Sequence, residues 1–206
     1  DTNNMSDVFV HDSTTGVTER VSVDTAGVQG NVHSQWSSIS ADGRYVAFDS
    51  FARNLVSGDT TGTSDVFVRD RQTGITTRVS VNSTGYQANG PSQRPTITPD
   101  GRNIVFDSLA SDLAPGDANL KLDVYVHDLQ TGVTARASLD SAGVEGNGDS
   151  FFGAISDDGR YVAFGSAAIN LVTGDTNGVQ DVFVHDRNTG LTVRVSVDSN
   201  GLQATG

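Results

Sequence analysis

The side chains best suited to chemistry in this chain are carboxylates, amides and hydroxyls at positions one, three and seven of a recurring seven-residue stretch. Asp59, Thr61 and Asp65 form one copy, Asp117, Asn119 and Asp123 a second, Asp175, Asn177 and Asp181 a third, and Asp1, Asn3 and Asp7 head the chain. Oxygens at that spacing can converge on a hard cation in a tight loop, with backbone carbonyls and water completing the ~6–8 ligands that calcium prefers. Calcium is therefore the cofactor these twelve positions anticipate. The match to an EF-hand loop is partial, because the fifth position carries no acid and the twelfth no Glu. A structural reading stands beside it: the first Asp forms an Asx turn and the last one bonds backbone amides ahead of a strand. Asn54, Asp112 and Asn170, five residues before these loops, offer either another oxygen or a turn cap.

A second set differs where the rest repeats. Trp36, Arg94 and Phe152 occupy one position in three otherwise similar segments. Aromatic and Arg side chains are frequent binding anchors, so these three are the ligand-binding candidates, for a protein or a glycan. Packing between neighbouring sheets is the alternative for Trp36 and Phe152.

Covalent chemistry finds less support. There is no Gly-x-Ser-x-Gly elbow, Walker loop, dinucleotide fingerprint or His-Glu-x-x-His. His11, His127 and His185 are each followed by Asp, but neighbours on a strand point to opposite faces and cannot act as base and orienting carboxylate. No catalytic residue is assigned, and the chain reads as a non-enzyme.

The elements that position these residues follow from an internal period. Asp-Val-Phe-Val starts at Asp7, Asp65 and Asp181, and Asp-Val-Tyr-Val at Asp123, each 58 residues from the next. The same interval relates Asp42-Gly43-Arg44 to Asp100-Gly101-Arg102 and Asp158-Gly159-Arg160, and Arg20 to Arg78, Arg136 and Arg194. Within a unit, apolar residues alternate with period two, predicting strands at 37–40, 45–48, 65–68 and 77–81. Asp42-Gly43 favours a tight hairpin between the first two strands, and Thr73-Gly74 joins the last two. Residues 52–56 are expected to form a short helical turn. The repeated arginines of the fourth strand are expected to pair with carboxylates of neighbouring units.

Four short strands cannot bury both faces of their own sheet, whereas sheets stacked radially cover one another. The expected fold is all-β: propeller blades of four antiparallel strands, with a half-blade at 1–31 and blades at about 32–89, 90–147 and 148–206. About 3.5 blades fall short of the four or more of a closed propeller. An exposed half-blade edge invites pairing, so the expected completion is a homo-oligomer or further blades of a longer parent chain.

The run from Ile39 to Phe48 (Ile-Ser-Ala-Asp-Gly-Arg-Tyr-Val-Ala-Phe), with Asp65-Val-Phe-Val-Arg-Asp and Thr73-Gly74, resembles the WD40-like or TolB-like (PD40) β-propeller repeat family of bacterial envelope and secreted proteins. The resemblance covers essentially the whole chain. It implies a non-catalytic interaction or scaffold module that is secreted, periplasmic or at the cell surface. A repeat lectin and the propeller portion of a larger hydrolase are the alternatives, since such blades occur in several settings.

Composition narrows the partners. Thirteen basic residues against 25 acidic ones leave a net charge of −12, which repels the phosphate backbones a nucleic-acid binder must neutralise. No apolar run approaches the ~18 residues of a membrane helix, so no membrane insertion is expected. With no cysteine, disulfides and thiol chemistry are absent.

Overall fold

The structure is a computed structural model that describes residues 2–204. Its elements are strands: β1 (Phe9–His11) and β2 (Thr18–Arg20) form a two-stranded ribbon, and three antiparallel meanders of four follow. Blade 1 contains β3 (Ser34–Ile39), β4 (Tyr45–Ser50), β5 (Asp65–Asp70) and β6 (Ile75–Arg78). Blade 2 contains β7 (Ser92–Ile97), β8 (Asn103–Ser108), β9 (Asp123–Asp128) and β10 (Thr134–Arg136). Blade 3 contains β11 (Ser150–Ile155), β12 (Tyr161–Ser166), β13 (Asp181–Asp186) and β14 (Thr192–Arg194). The chain is thus half a blade and three whole ones, and the first strands β3, β7 and β11 lie against one another in succession.

The hairpins form where turn chemistry demands. Gly43, Gly101 and Gly159 have φ of 70°, 77° and 72°, a region open to glycine at little steric cost. The preceding Asp carboxylates fix each turn by accepting bonds from the amide of Arg44, Arg102 or Arg160 at 2.9–3.0 Å. Those arginines then reach the far end of the third strand, where Arg44 Nη2 lies 2.7 Å from Asp70, Arg102 Nη2 2.7 Å from Asp128 and Arg160 Nη2 2.6 Å from Asp186. This pairing holds the three carboxyls well below the usual carboxylate range.

Packing explains why the units must stack. Phe48 and Phe67, stacked at 5.9 Å, face back toward Val8 and Val21 of the half-blade. Val66, Val68 and Val79 on the other face of blade 1 meet Phe106 and Tyr125 of blade 2. Val124, Val126 and Ala137 of blade 2 meet Phe164 and Phe183 of blade 3. Each apolar side chain fully removed from water contributes about 1.5–3 kcal/mol, so the core consists of three seams between sheets. Thr76, Thr134 and Thr192 seal the seams at their outer ends, donating to Val23, Val81 and Leu139 carbonyls of the preceding unit at 2.5–2.6 Å.

Three local expectations change. Residues 52–56 form a turn followed by a bend, with Ala52 and Leu55 buried in the first seam rather than on a helix. The fourth strand of blade 1 spans Ile75–Arg78, not 77–81, and Val81 makes only an isolated bridge to Gln87. The first strand starts earlier, at Ser34, and carries a register shift between Gln35 and Ser38.

Candidate functional site

The repeated acidic loops close over a guanidinium. In blade 1, Asp65 is fully buried and its Oδ1 accepts the Ser80 hydroxyl at 2.6 Å, while that same hydroxyl accepts the Val66 amide. Its Oδ2 lies 3.7 Å from Arg78 Nη1. Gln87 directs its side-chain amide at Asp59, Thr61 and Asp65 together, at 3.0, 2.9 and 2.8 Å. Blade 3 repeats the plan: Arg194 lies 3.3 Å from Asp175 and 3.4 Å from Asp181, and it donates to Gln203. At the N-terminus Arg20 pairs with Asp7 at 3.4 Å and bonds Gln29. The arginines therefore act within their own unit, correcting the expectation of pairs between neighbours. They project from the fourth strand onto the loop preceding the third, which is its direct partner in the sheet.

Blade 2 departs from this pattern. Glu145 stands where the other copies have Gln, and ligand atoms of Asp117, Asp123 and Glu145 lie within 4.8 Å of one another. Arg136 sits among them at 3.9, 3.6 and 2.5 Å, and Tyr125 donates its hydroxyl to Asp117 at 2.5 Å. Burial pushes the Asp123 carboxyl up to about 6 and outweighs the long contact with Arg136. The third loop position supplies the Asx turn: Asn119 and Asn177 accept the amides of Lys121 and Val179 at 2.7 and 3.2 Å, and Asn3 that of Met5 at 2.9 Å. Asp1 lies outside the described residues. The oxygens anticipated for calcium thus converge, with Arg and Gln or Glu side chains already on them. Asn54, Asp112 and Asn170 clamp the preceding connection by accepting the amides of Asn31, Asn89 and Asn147.

The second candidate set is a cluster on the inner strands. Trp36, Arg94 and Phe152 each sit at the bulge of a first strand, with φ of 48°, 54° and 56°. Positive φ in a non-glycine residue costs of order 1–3 kcal/mol and collects at functional sites, and bulges re-aim side chains there. Successive first strands touch, so the three side chains converge on one pocket of roughly 370 Å³, completed by Ser37, Pro95, Thr96, Gly153 and Ala154. The Arg94 guanidinium lies 4.8 Å from the centre of the Phe152 ring, and Phe151 meets Phe152 edge-on at 5.3 Å. Trp36 and Phe152 are 58% and 62% exposed, so they do not fill the seams between blades.

Two carboxylates hold the second and third of these bulges, and sequence reasoning missed both. Asp49 accepts the Arg94 amide at 3.4 Å, and Asp107 accepts the Phe152 amide at 3.2 Å, each from the preceding blade. Arg94 Nη1 returns to Asp107 at 3.2 Å. Both acids are wholly buried; burial pushes Asp49 up to about 6 and raises Asp107 as well. Their signal was the 58-residue interval itself: Asp49 and Asp107 are equivalent, and blade 3 has Gly165 in their place.

No family model and no curated protein matches the sequence. Solved structures do match. A protein from Agrobacterium tumefaciens described as TolB superposes with a TM-score of 0.57 at 17% identity, covering 92% of this chain and 56% of that one. TolB from Acinetobacter baumannii gives 0.54 at 22% identity, covering 92% and 37%. The tricorn protease gives 0.54 at 14%, covering 85% of this chain and 15% of its own. The fold is the TolB-like β-propeller. Its blades here span little more than half the length of the first of these structures and less of the others.

Proposed function

We propose that the chain is a non-catalytic, extracytoplasmic β-propeller interaction module that recognises a protein partner through Trp36, Arg94 and Phe152. The observation carrying this reading is the contrast between three strained, chemically different side chains, two of them largely exposed and Arg94 half-buried, and the repeated framework supporting them. A repeat lectin needs a similar pocket on each blade, whereas these three positions merge into one composite surface, which favours a single macromolecular partner. The extracytoplasmic setting rests on the repeat resemblance. The non-catalytic part is supported by the histidines: His11, His127 and His185 engage Thr18, Thr134 and Thr192 hydroxyls through Nδ1, and His33 accepts the Ser6 amide. Among the described residues none is oriented by a carboxylate.

Assembly belongs to the same proposal. Val182 and Val195 are 44% and 47% exposed, whereas their blade 1 equivalents Val66 and Val79 are fully buried. The outer face of blade 3 is therefore suited to another blade-like sheet.

The test compares wild type with a Trp36→Ala/Arg94→Ala/Phe152→Ala variant in peptide-display selection and on a glycan array. Peptides retained by the wild type and lost by an equally stable variant support the reading. Glycan binding lost in the same way would replace it with the lectin, and selection indifferent to the cluster would overturn both.

A further inference from the structure

The clefts between blades on the side of the Asp-Gly-Arg turns share one backbone but differ in chemistry. Where the half-blade meets blade 1, Arg71 donates through Nε to Glu19 at 2.9 Å and through Nη1 to the Gly43 carbonyl at 2.7 Å. Where blade 1 meets blade 2, Leu129 replaces the arginine and lines an apolar cleft with Tyr45 and Ile75. Where blade 2 meets blade 3 the arginine returns as Arg187, and its Nη1 again donates to the equivalent carbonyl, Gly159, at 2.5 Å and to Asn103 Oδ1 at 3.2 Å. The residue equivalent to Glu19 is now Ala135. Arg187 consequently forms no ion pair among the described residues, although it lies in a cleft of about 500 Å³ with Asn103, His185 and Asn188 on its walls.

We propose that this cleft is a binding site for a small organic carboxylate, which bonds Arg187 where Glu19 bonds Arg71. Arg is the side chain best matched to a planar carboxylate, and the volume suits a ligand of about monosaccharide size. The acids lining the cleft are already engaged. Asp128 is held by Arg102, Asp100 by Thr98 and the Arg102 amide, and Asp158 by Ser156 and the Arg160 amide. Of the arginines lining the cleft, Arg102, Arg136 and Arg160 each have a carboxylate at ion-pair distance, and Arg187, bonded through Nη1 to the Gly159 carbonyl and Asn103, has none among the described residues. The first cleft shows what satisfies that geometry, and the third lacks it within the chain.

The probe is glucuronate, with glucose as the uncharged control at matched ionic strength, followed by NMR at the Arg187 side-chain N–H. A saturable shift at millimolar glucuronate is expected for wild type and none for glucose. Arg187→Gln should weaken binding at least tenfold. Ala135→Glu should do the same by supplying the carboxylate internally, while raising Tm by about 1–2 °C, as an exposed ion pair in a chain of this size can. Absence of saturable binding in the wild type, or equal binding by wild type and Ala135→Glu, would overturn the proposal. The second variant keeps the test decisive should Arg187→Gln misfold.

Discussion

The acidic loops and the inner-strand bulges occupy equivalent places in every blade, yet one repeats its chemistry and the other does not. In the loops, Arg78, Arg136 and Arg194 each meet the aspartate that opens the third strand, and Arg136 and Arg194 also meet the first aspartate of the loop. At the bulges the backbone repeats, including its strained φ, but the side chains are Trp, Arg and Phe. Recurrence accompanies burial and charge pairing, whereas divergence accompanies exposure. A position that serves the stack must solve the same packing problem in each blade; one facing solvent at the inner strands is free to specialise.

The comparison can be broken most forcefully at the loops. Arg136→Met leaves Asp117, Asp123 and Glu145 without their buried cation, and unpairing a buried charge costs about 3–5 kcal/mol. Urea denaturation should register a loss of that size. With Arg136 present, millimolar calcium should leave the midpoint unchanged, because calcium would compete with the guanidinium for the same oxygens. A clear stabilisation by calcium would support the cation reading of the loops.

The seams come next. Val79→Ala, in a fully buried position, should cost about 2 kcal/mol from lost burial and the cavity left behind. Val195→Ala, at the equivalent but exposed site, should cost less than about 0.5 kcal/mol in an isolated monomer. Equal losses would indicate that blade 3 is covered in solution.

Acidity separates the two regions further. Asp49 and Asp123, raised to about 6 by burial, take up protons in the folded state before the unfolded chain does. Their ionisation therefore weakens the fold above pH 6, and stability should rise as pH falls from 7 toward the unfolded carboxylate pKa near 4. Asp70, Asp128 and Asp186 are depressed by their arginines, so their contribution is present above that pH and is lost below it. A maximum in Tm between about pH 4 and 5 is expected. Asp49→Asn should flatten the rise from pH 7 without altering the loss in strong acid.

The smallest effect is the most diagnostic for the bulges. Trp36→Gly relieves an unfavourable φ in an exposed residue, and stability should increase by about 0.5 kcal/mol after the added unfolded-state entropy is offset. Partner binding should fall. A destabilising Trp36→Gly would mean that the ring packs structurally and would weaken its assignment to recognition.

Much of the framework was legible because its causes are local. Asp42-Gly43 specifies a hairpin, and period-two apolar residues specify half-buried strands. The 58-residue interval forces stacked sheets. The boundaries were less legible, since strand ends depend on partners: the bulge at Trp36 appears only when β3 is paired with β4. Residues 52–56 read as a short helical turn, but Ala52 and Leu55 turn inward to fill a seam that no local rule describes.

The candidate residues divide along the same line. Sequence alone picked out the recurring oxygens of the loops and the divergence at Trp36, Arg94 and Phe152, because type and period are properties of the chain. Only the tertiary structure decided that Arg78 and Gln87 reach those oxygens, that Asp49 and Asp107 brace the next blade's bulge, and that Arg187 lacks the carboxylate Arg71 has. Each of these depends on which side chains meet across a sheet or a seam, and burial and charge balance are set there by neighbours distant in the chain.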